Sequence, residues 1–234
     1  MRVIVTRPAT GGQRTADRLA AMGHDAILLP LTEPAHRPLA AAEALRLPHA
    51  AIAITSAEAV RALSTVGRAD LEPALETPVH AVGAASASAA RELGFRQVAT
   101  GPGTGAGLAE KLVRDGVQDV LYLAGQPRSA LFEDGLAAAG IRFRTVEVYA
   151  MRPADLPAEK LALLSPQPEA VLFYSSEAAR IFMEHAALQH ALPDLARMTA
   201  FCLSPNVAQA LPAHRFGMIR VAPEPSEDQL LLLL

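Results

Sequence analysis

The sequence predicts an α/β protein made of two similar lobes, each built on a doubly wound, mostly parallel sheet. Two observations carry this reading. Short apolar runs alternate with helical patterns along all 234 residues, and three consecutive units recur in the same order in both halves. VIVTRPATGGQRTADRLAAMG from Val3 resembles VLYLAGQPRSALFEDGLAAAG from Val120, and AIAITSAEAVRAL from Ala51 resembles AVLFYSSEAARIF from Ala170. AVGAASASAARELG at Ala81 then matches FCLSPNVAQAL near Phe201, with Gly94 and Gly217 in equivalent places. Composition agrees: 51% hydrophobic and 19% charged residues are enough to fill a core.

Taken in order, Val3–Val5 reads as a strand and Gly12–Met22 as a helix stopped by Gly23. Strands follow at Ala26–Leu29, Ala50–Ile54 and Val79–Val82, and the helix Ala84–Leu93 stops at Gly94. Gln97–Ala99 is a strand, and 101–107 is a flexible loop opening a helix over Leu108–Val113. Val120–Leu123 is a strand, Ser129–Ala139 a helix ended by Gly140, and Phe143–Val148 the next strand. Ala170–Phe173, Thr199–Leu203 and Ile219–Val221 complete the strands, and Leu230–Leu234 ends a buried helix. Most strands are continuous apolar runs, the pattern of strands covered on both faces. Pro30, Pro34, Pro38 and Pro48, and later Pro153, Pro157, Pro166 and Pro168, suit extended linkers. The repeat alone places a cut near residue 118; the prolines place cuts near 32–48 and 149–157.

Several function classes are excluded. A net charge of −3, no Trp and no basic run argue against nucleic-acid binding. A single cysteine, Cys202, removes any disulfide framework or cysteine metal site. No apolar stretch reaches the length of a membrane span, and MRVIVTRP reads as a strand rather than a signal peptide, so a cytoplasmic location is expected. The seven histidines form no ligand pair, and no metal is expected. GPGTGAG at Gly101–Gly107 is not a nucleotide loop, because it lacks the terminal Gly-Lys-Ser/Thr and has the wrong glycine spacing. No cofactor motif remains, which leaves cofactor-free chemistry or plain binding.

The chemistry is expected where strands end in small or polar residues: Thr6-Arg7, Thr55-Ser56, Gly83-Ala84, Ala124-Gly125-Gln126, Ser175-Ser176 and Ser204-Pro205-Asn206. Open α/β sheets bind ligands beyond their carboxyl ends, where helix N-termini favour anions. The competing account is helix capping, with Thr55 and Glu58 spaced as a capping box.

Seven motifs in order resemble the uroporphyrinogen-III synthase family: TRP at Thr6, ITSAEAV at Ile54, AVGAASA at Ala81, LAGQPR at Leu123, VYAMRP at Val148, FYSSEAA at Phe173 and PSEDQLL at Pro225. The resemblance implies two α/β lobes joined by a two-stranded linker. Lobe 1 would be discontinuous, 1–32 plus 155–234, lobe 2 would span 48–147, and 33–47 and 148–154 would link them. The implied activity is cofactor-free cyclisation of the linear tetrapyrrole hydroxymethylbilane, with loss of water and inversion of the last ring. Tyr149 matches the tyrosine that the family places at its cleft, and would assist the departing hydroxyl. Ser56, Ser86, Ser175, Ser176, Gly83, Gly125 and Asn206 would contact substrate, with Arg7, Arg128 and Arg152 at the rim. The implied partner is the preceding hydroxymethylbilane synthase, in transient contact, and a monomer is expected. Two departures stand out. Val207 lies where the family commonly has threonine, and Ala124 where it has arginine. They keep open a catalytically silent two-lobed module that binds or senses an anionic small molecule.

Overall fold

The computed structural model describes residues 1–234, the side chain of Thr10 aside. The chain runs β1 (Arg2–Val5), α1 (Ala9–Ala21), β2 (Asp25–Leu28), β3 (Thr32–His36), α2 (Pro38–Leu45), β4 (Ala51–Ile54), α3 (Ala57–Leu63) and α4 (Arg68–Leu71). It continues through β5 (Val79–Ala81), α5 (Ala84–Leu93), β6 (Val98–Thr100), α6 (Gly105–Arg114), β7 (Asp119–Gln126), α7 (Leu131–Ala138) and β8 (Arg142–Pro153). The last third holds α8 (Ala158–Ala162), β9 (Ala170–Phe173), α9 (Ser176–Glu184), α10 (Ala186–Ala191), β10 (Thr199–Cys202), α11 (Pro205–Gln209), β11 (Met218–Val221) and α12 (Glu227–Leu231). Two compact units result: Met1–Glu33 with Arg152–Leu234, and Pro34–Met151.

The first unit carries a five-stranded sheet in the order β11-β10-β9-β1-β2, with parallel pairing throughout. Alternate residues of its strands feed two separate cores. Ile4, Val171, Phe173 and Ala200 pack with Phe182 of α9 and Leu188 of α10. Val3, Val5, Leu172 and Phe201 pack with Leu19 of α1 and Leu230 and Leu231 of α12. Coverage on both faces is why these strands read as unbroken apolar runs.

The second unit repeats the plan in a six-stranded sheet, β3-β8-β7-β4-β5-β6. Pairing is parallel from β8 across to β6. Ile52, Ile54, Leu121 and Leu123 face α2, α3 and α5 through Leu45, Leu63 and Ala90. Ala53, Val120 and Tyr122 face α6 and α7 through Leu108, Leu112, Phe132 and Leu136. The α/β class and the parallel sheets expected from the alternation are what the chain forms.

Three local expectations are corrected. Residues 33–47, expected as an extended linker, form β3 and then the helix α2. Pro38 is its first helical residue, where a missing N–H costs nothing, and Pro34 sits in β3 at the sheet edge, where a strand tolerates proline. β8, expected to end at Val148, continues to Pro153. The loop 101–107 is not loose. Gly101 and Gly103 donate their N–H groups to the carbonyls of Ala81 and Val82, at 2.7 Å each. Thr104 caps α6, accepting from Gly107 N–H at 3.2 Å, so that helix starts at Gly105 rather than Leu108.

Phe182 is fully buried and edge-on to Phe173, with ring centroids 5.2 Å apart. Phe182→Ala is therefore expected to cost about 3–5 kcal/mol, read as a lower urea midpoint at unchanged slope. Leu39→Ala, at a position 79% exposed, is expected to shift stability by less than about 0.5 kcal/mol.

Candidate functional site

A cavity of about 360 Å³ opens in the second unit at the carboxyl ends of β4, β5 and β7, against β8. Its wall includes Thr55, Ser56, Gly103, Tyr122, Gly125, Arg128 and Tyr149. Each strand stops where its backbone turns toward a helix, which is how a parallel sheet collects polar strand ends on one rim.

Tyr149 is brought there by an irregularity in β8. Ala124 pairs with Glu147, but the next residue, Gly125, pairs with Tyr149, so the register skips Val148. Val148 turns its carbonyl to the Arg37 N–H instead, at 2.7 Å. Such a bulge re-aims the side chains that follow it. The phenol then lies directly on the backbone of Gly125, so closely that a methyl group there would overlap Cζ and the hydroxyl. Burial pushes the Tyr149 pKa above its ordinary value of 10.0, while the neighbouring Ser56 hydroxyl works the other way. At neutral pH the phenol is a protonated donor.

Ser56, not Thr55, caps α3: its Oγ accepts the Glu58 N–H at 3.1 Å. The capping box expected from Thr55 and Glu58 does not form. Both side chains are drawn elsewhere by stronger partners. Thr55 Oγ1 lies 2.7 Å from the Tyr122 hydroxyl. The Glu58 carboxylate is held by Arg61, at 2.6 Å, and by His36 Nε2, at 2.7 Å. Burial alone would push the Glu58 carboxyl up, but hydrogen bonds from Arg61 and His36 outweigh it and hold it below 4.5.

Arg128 reaches the cavity already paired. It contacts Glu133 at 3.0 Å and Glu147 at 2.8 Å, and Glu147 also pairs with Arg37 at 2.8 Å. Hydrogen bonds to the two carboxylates raise the Arg128 pKa, so its charge is permanent. Tyr122 is a wall residue that sequence pattern does not reveal, because it sits in an apolar strand run and reads as core. Its ring is 1% exposed and edge-on to Phe132, and burial raises its pKa.

Of the residues expected from sequence, Ser56, Gly125, Arg128 and Tyr149 meet at this cavity. Gly83 caps α5 beside it, while Ser86 is buried on α5 and lines no part of it. The others belong to the first unit. Arg7 pairs with Glu227 at 2.8 Å and lies 4.5 Å over the Tyr174 ring. Glu227 also accepts from Thr15 and, at 3.1 Å, from the Tyr174 hydroxyl. Ser175 caps α9, and Ser176 donates to the Asn206 carbonyl at 3.0 Å. Arg152 pairs with Glu33 at 2.7 Å. The two departures are core positions: Val207 is 4% exposed and Ala124 fully buried.

Comparison with known proteins matches residues 13–231 to the family model described as uroporphyrinogen-III synthase HemD. The chain belongs to the uroporphyrinogen-III synthase family. It is thus an enzyme of tetrapyrrole biosynthesis, a lyase that closes hydroxymethylbilane into uroporphyrinogen III. Solved structures share the fold. One, uroporphyrinogen-III synthetase from Helicobacter pylori, is 21% identical over 100% of this chain and 98% of its own, with a TM-score of 0.67. Another, a mutant uroporphyrinogen III synthase from Thermus thermophilus, is 23% identical over 100% and 96%, with a TM-score of 0.55. No curated protein sequence matches. Among the described residues no helix is long and apolar enough to cross a membrane.

Two outcomes follow from the geometry. Gly125→Ala should drive the phenol from its place and lower kcat/KM at least about 10-fold, with circular dichroism unchanged. Glu58→Gln, which weakens the hydrogen bonds to Arg61 and His36, should cost roughly 1–3 kcal/mol of stability at pH 7. Because the folded pKa is depressed, the wild-type advantage is complete above 4.5 and vanishes as pH falls through the lowered value. Urea titrations at a series of pH values from 7 down through 4.5 and below check both signs.

Proposed function

We propose that the second-unit cavity holds the reacting end of hydroxymethylbilane and that Tyr149 donates its proton to the departing hydroxyl. The observation that carries this reading is a protonated phenol held against Gly125 at the wall of a polar, strand-end cavity. A volume of about 360 Å³ is at the small end for ligand sites, with room for one substituted ring rather than four. Once Tyr149 has given the hydroxyl its proton, the electron-rich ring expels it as water, leaving a cation that an already substituted pyrrole carbon attacks; the ring proton released as closure restores the aromatic pyrroles returns to the phenolate. The protein's task is to stabilise the leaving oxygen and to hold the pose that disfavours direct end-to-end closure.

The substrate's carboxylates need donors, and neutral ones are at hand. α6 begins at Gly105 on the cavity wall and brings the positive end of its dipole there, although its Gly107 N–H is already taken by Thr104; at α7 the Leu131 N–H is taken by Ser129. Arg128 adds charge by exchanging Glu133 or Glu147 for a substrate carboxylate, two acceptors of the same chemistry. In the first unit, Arg7, Ser175, Ser176 and Asn206 are proposed as further contacts, with Gly83 beside the cavity in the second; Ser86, buried on α5, is not among them. A cytoplasmic monomer receiving substrate by transient contact with the preceding synthase completes the reading.

Freshly generated hydroxymethylbilane tests it, with products oxidised to porphyrins and separated by chromatography. The expected product is predominantly the type III isomer, and Tyr149→Phe should lower turnover roughly 10–100-fold, the worth of one transition-state hydrogen bond. Type I product alone, at the rate without protein, points to a silent ligand-binding module.

A further inference from the structure

The Thr55 hydroxyl caps no helix and has a single partner, Tyr122. Ser56 caps α3, so Thr55 is released from that role, and its Oγ1 stands on the cavity wall 2.7 Å from the Tyr122 hydroxyl. One of the two must donate to the other. A phenol is much the stronger acid, and Tyr122 is 1% exposed, so the favourable arrangement has Tyr122 donating to Thr55. The Thr55 proton is then left to face the cavity. A hydroxyl that accepts one hydrogen bond becomes a better donor of the next, and the gain is larger away from water. The Tyr122 ring is locked edge-on to Phe132 at 4.7 Å, which fixes the direction of the relay.

We propose that Thr55 is a substrate-contacting donor that binds one side-chain carboxylate of the tetrapyrrole, and that Tyr122 is the positioning residue that orients and polarises it. This rests on the synthase reading above and adds a second anchor to it. Tyr149 addresses the leaving hydroxyl, whereas the Tyr122–Thr55 relay holds the ring that carries it. Two fixed points define the ring's orientation, which one does not, and orientation decides whether closure yields the inverted or the uninverted isomer. The relay transfers no proton; it supplies one hydrogen bond to an anionic acceptor.

The experiment is steady-state turnover of hydroxymethylbilane with isomer analysis for wild type, Thr55→Val, Thr55→Ser, Tyr122→Phe and the double variant T55V/Y122F. Thr55→Val is expected to lower kcat/KM about 10–100-fold, mainly through KM, and to raise the type I fraction. Tyr122→Phe should lower it about 5-fold, and Thr55→Ser should restore activity relative to Thr55→Val. Because Tyr122 acts through Thr55, the double variant should be no worse than Thr55→Val alone. Losses that multiply, or a Thr55→Ser no better than Thr55→Val, overturn the relay. If Thr55→Val does not fold, Tyr122→Phe with unchanged KM and isomer ratio overturns it equally. Type III product from wild type with unaffected variants sinks the relay alone; only type I from wild type sinks the synthase reading and the relay with it.

Discussion

The contact between the Tyr149 phenol and the Gly125 backbone sets the terms for the rest of the site. It requires a residue without a Cβ at the end of β7 and an extra residue in β8 to bring the tyrosine opposite it. Given that contact, the phenol is buried, protonated and fixed in direction, and Thr55 and Ser56 fall on the same wall as the first polar side chains beyond β4. The parallel sheet supplies the common rim, and the bulge selects which side chain reaches it.

Charge near the cavity is settled before any ligand arrives. Arg128 is shared between Glu133 and Glu147, Arg37 takes the other oxygen of Glu147, and Glu58 is divided between Arg61 and His36. Paired ions attract an anion weakly from afar, and swapping one carboxylate for another changes little in free energy. Affinity for a polyanion in such a setting comes from geometry, through neutral donors with fixed directions. This suits a protein whose net charge is −3.

Much of this was readable beforehand, for identifiable reasons. Strands covered on both faces are apolar at every position, so Ala170–Phe173 or Ala51–Ile54 could hardly be read otherwise. Ser56 and Gly125 were readable as small or polar residues at strand ends, but Tyr149 and Arg128 only through family resemblance, because nothing in local spacing brings β4, β7 and β8 together. What stayed hidden did so for physical reasons. Prolines that begin the helix α2 or sit in the edge strand β3 look the same in sequence as prolines that break structure. Adjacent Thr55 and Ser56 are equally good caps, and only the position of Tyr122, 67 residues away, decides which of them is free.

The first unit is assembled from both ends of the chain. Val3 of β1 pairs with Ala170 of β9, and the Thr6 hydroxyl donates to the Leu172 carbonyl at 2.7 Å. During synthesis β1 therefore emerges long before its partner. At roughly 5–20 residues per second it waits on the order of ten to thirty seconds with one strand edge unsatisfied. The whole of 34–151 is contiguous and completes its sheet within that interval. Vectorial translation thus favours building the cavity-bearing unit first, while the N-terminal segment of β1, α1 and β2 is the one most exposed to mispairing with other nascent chains.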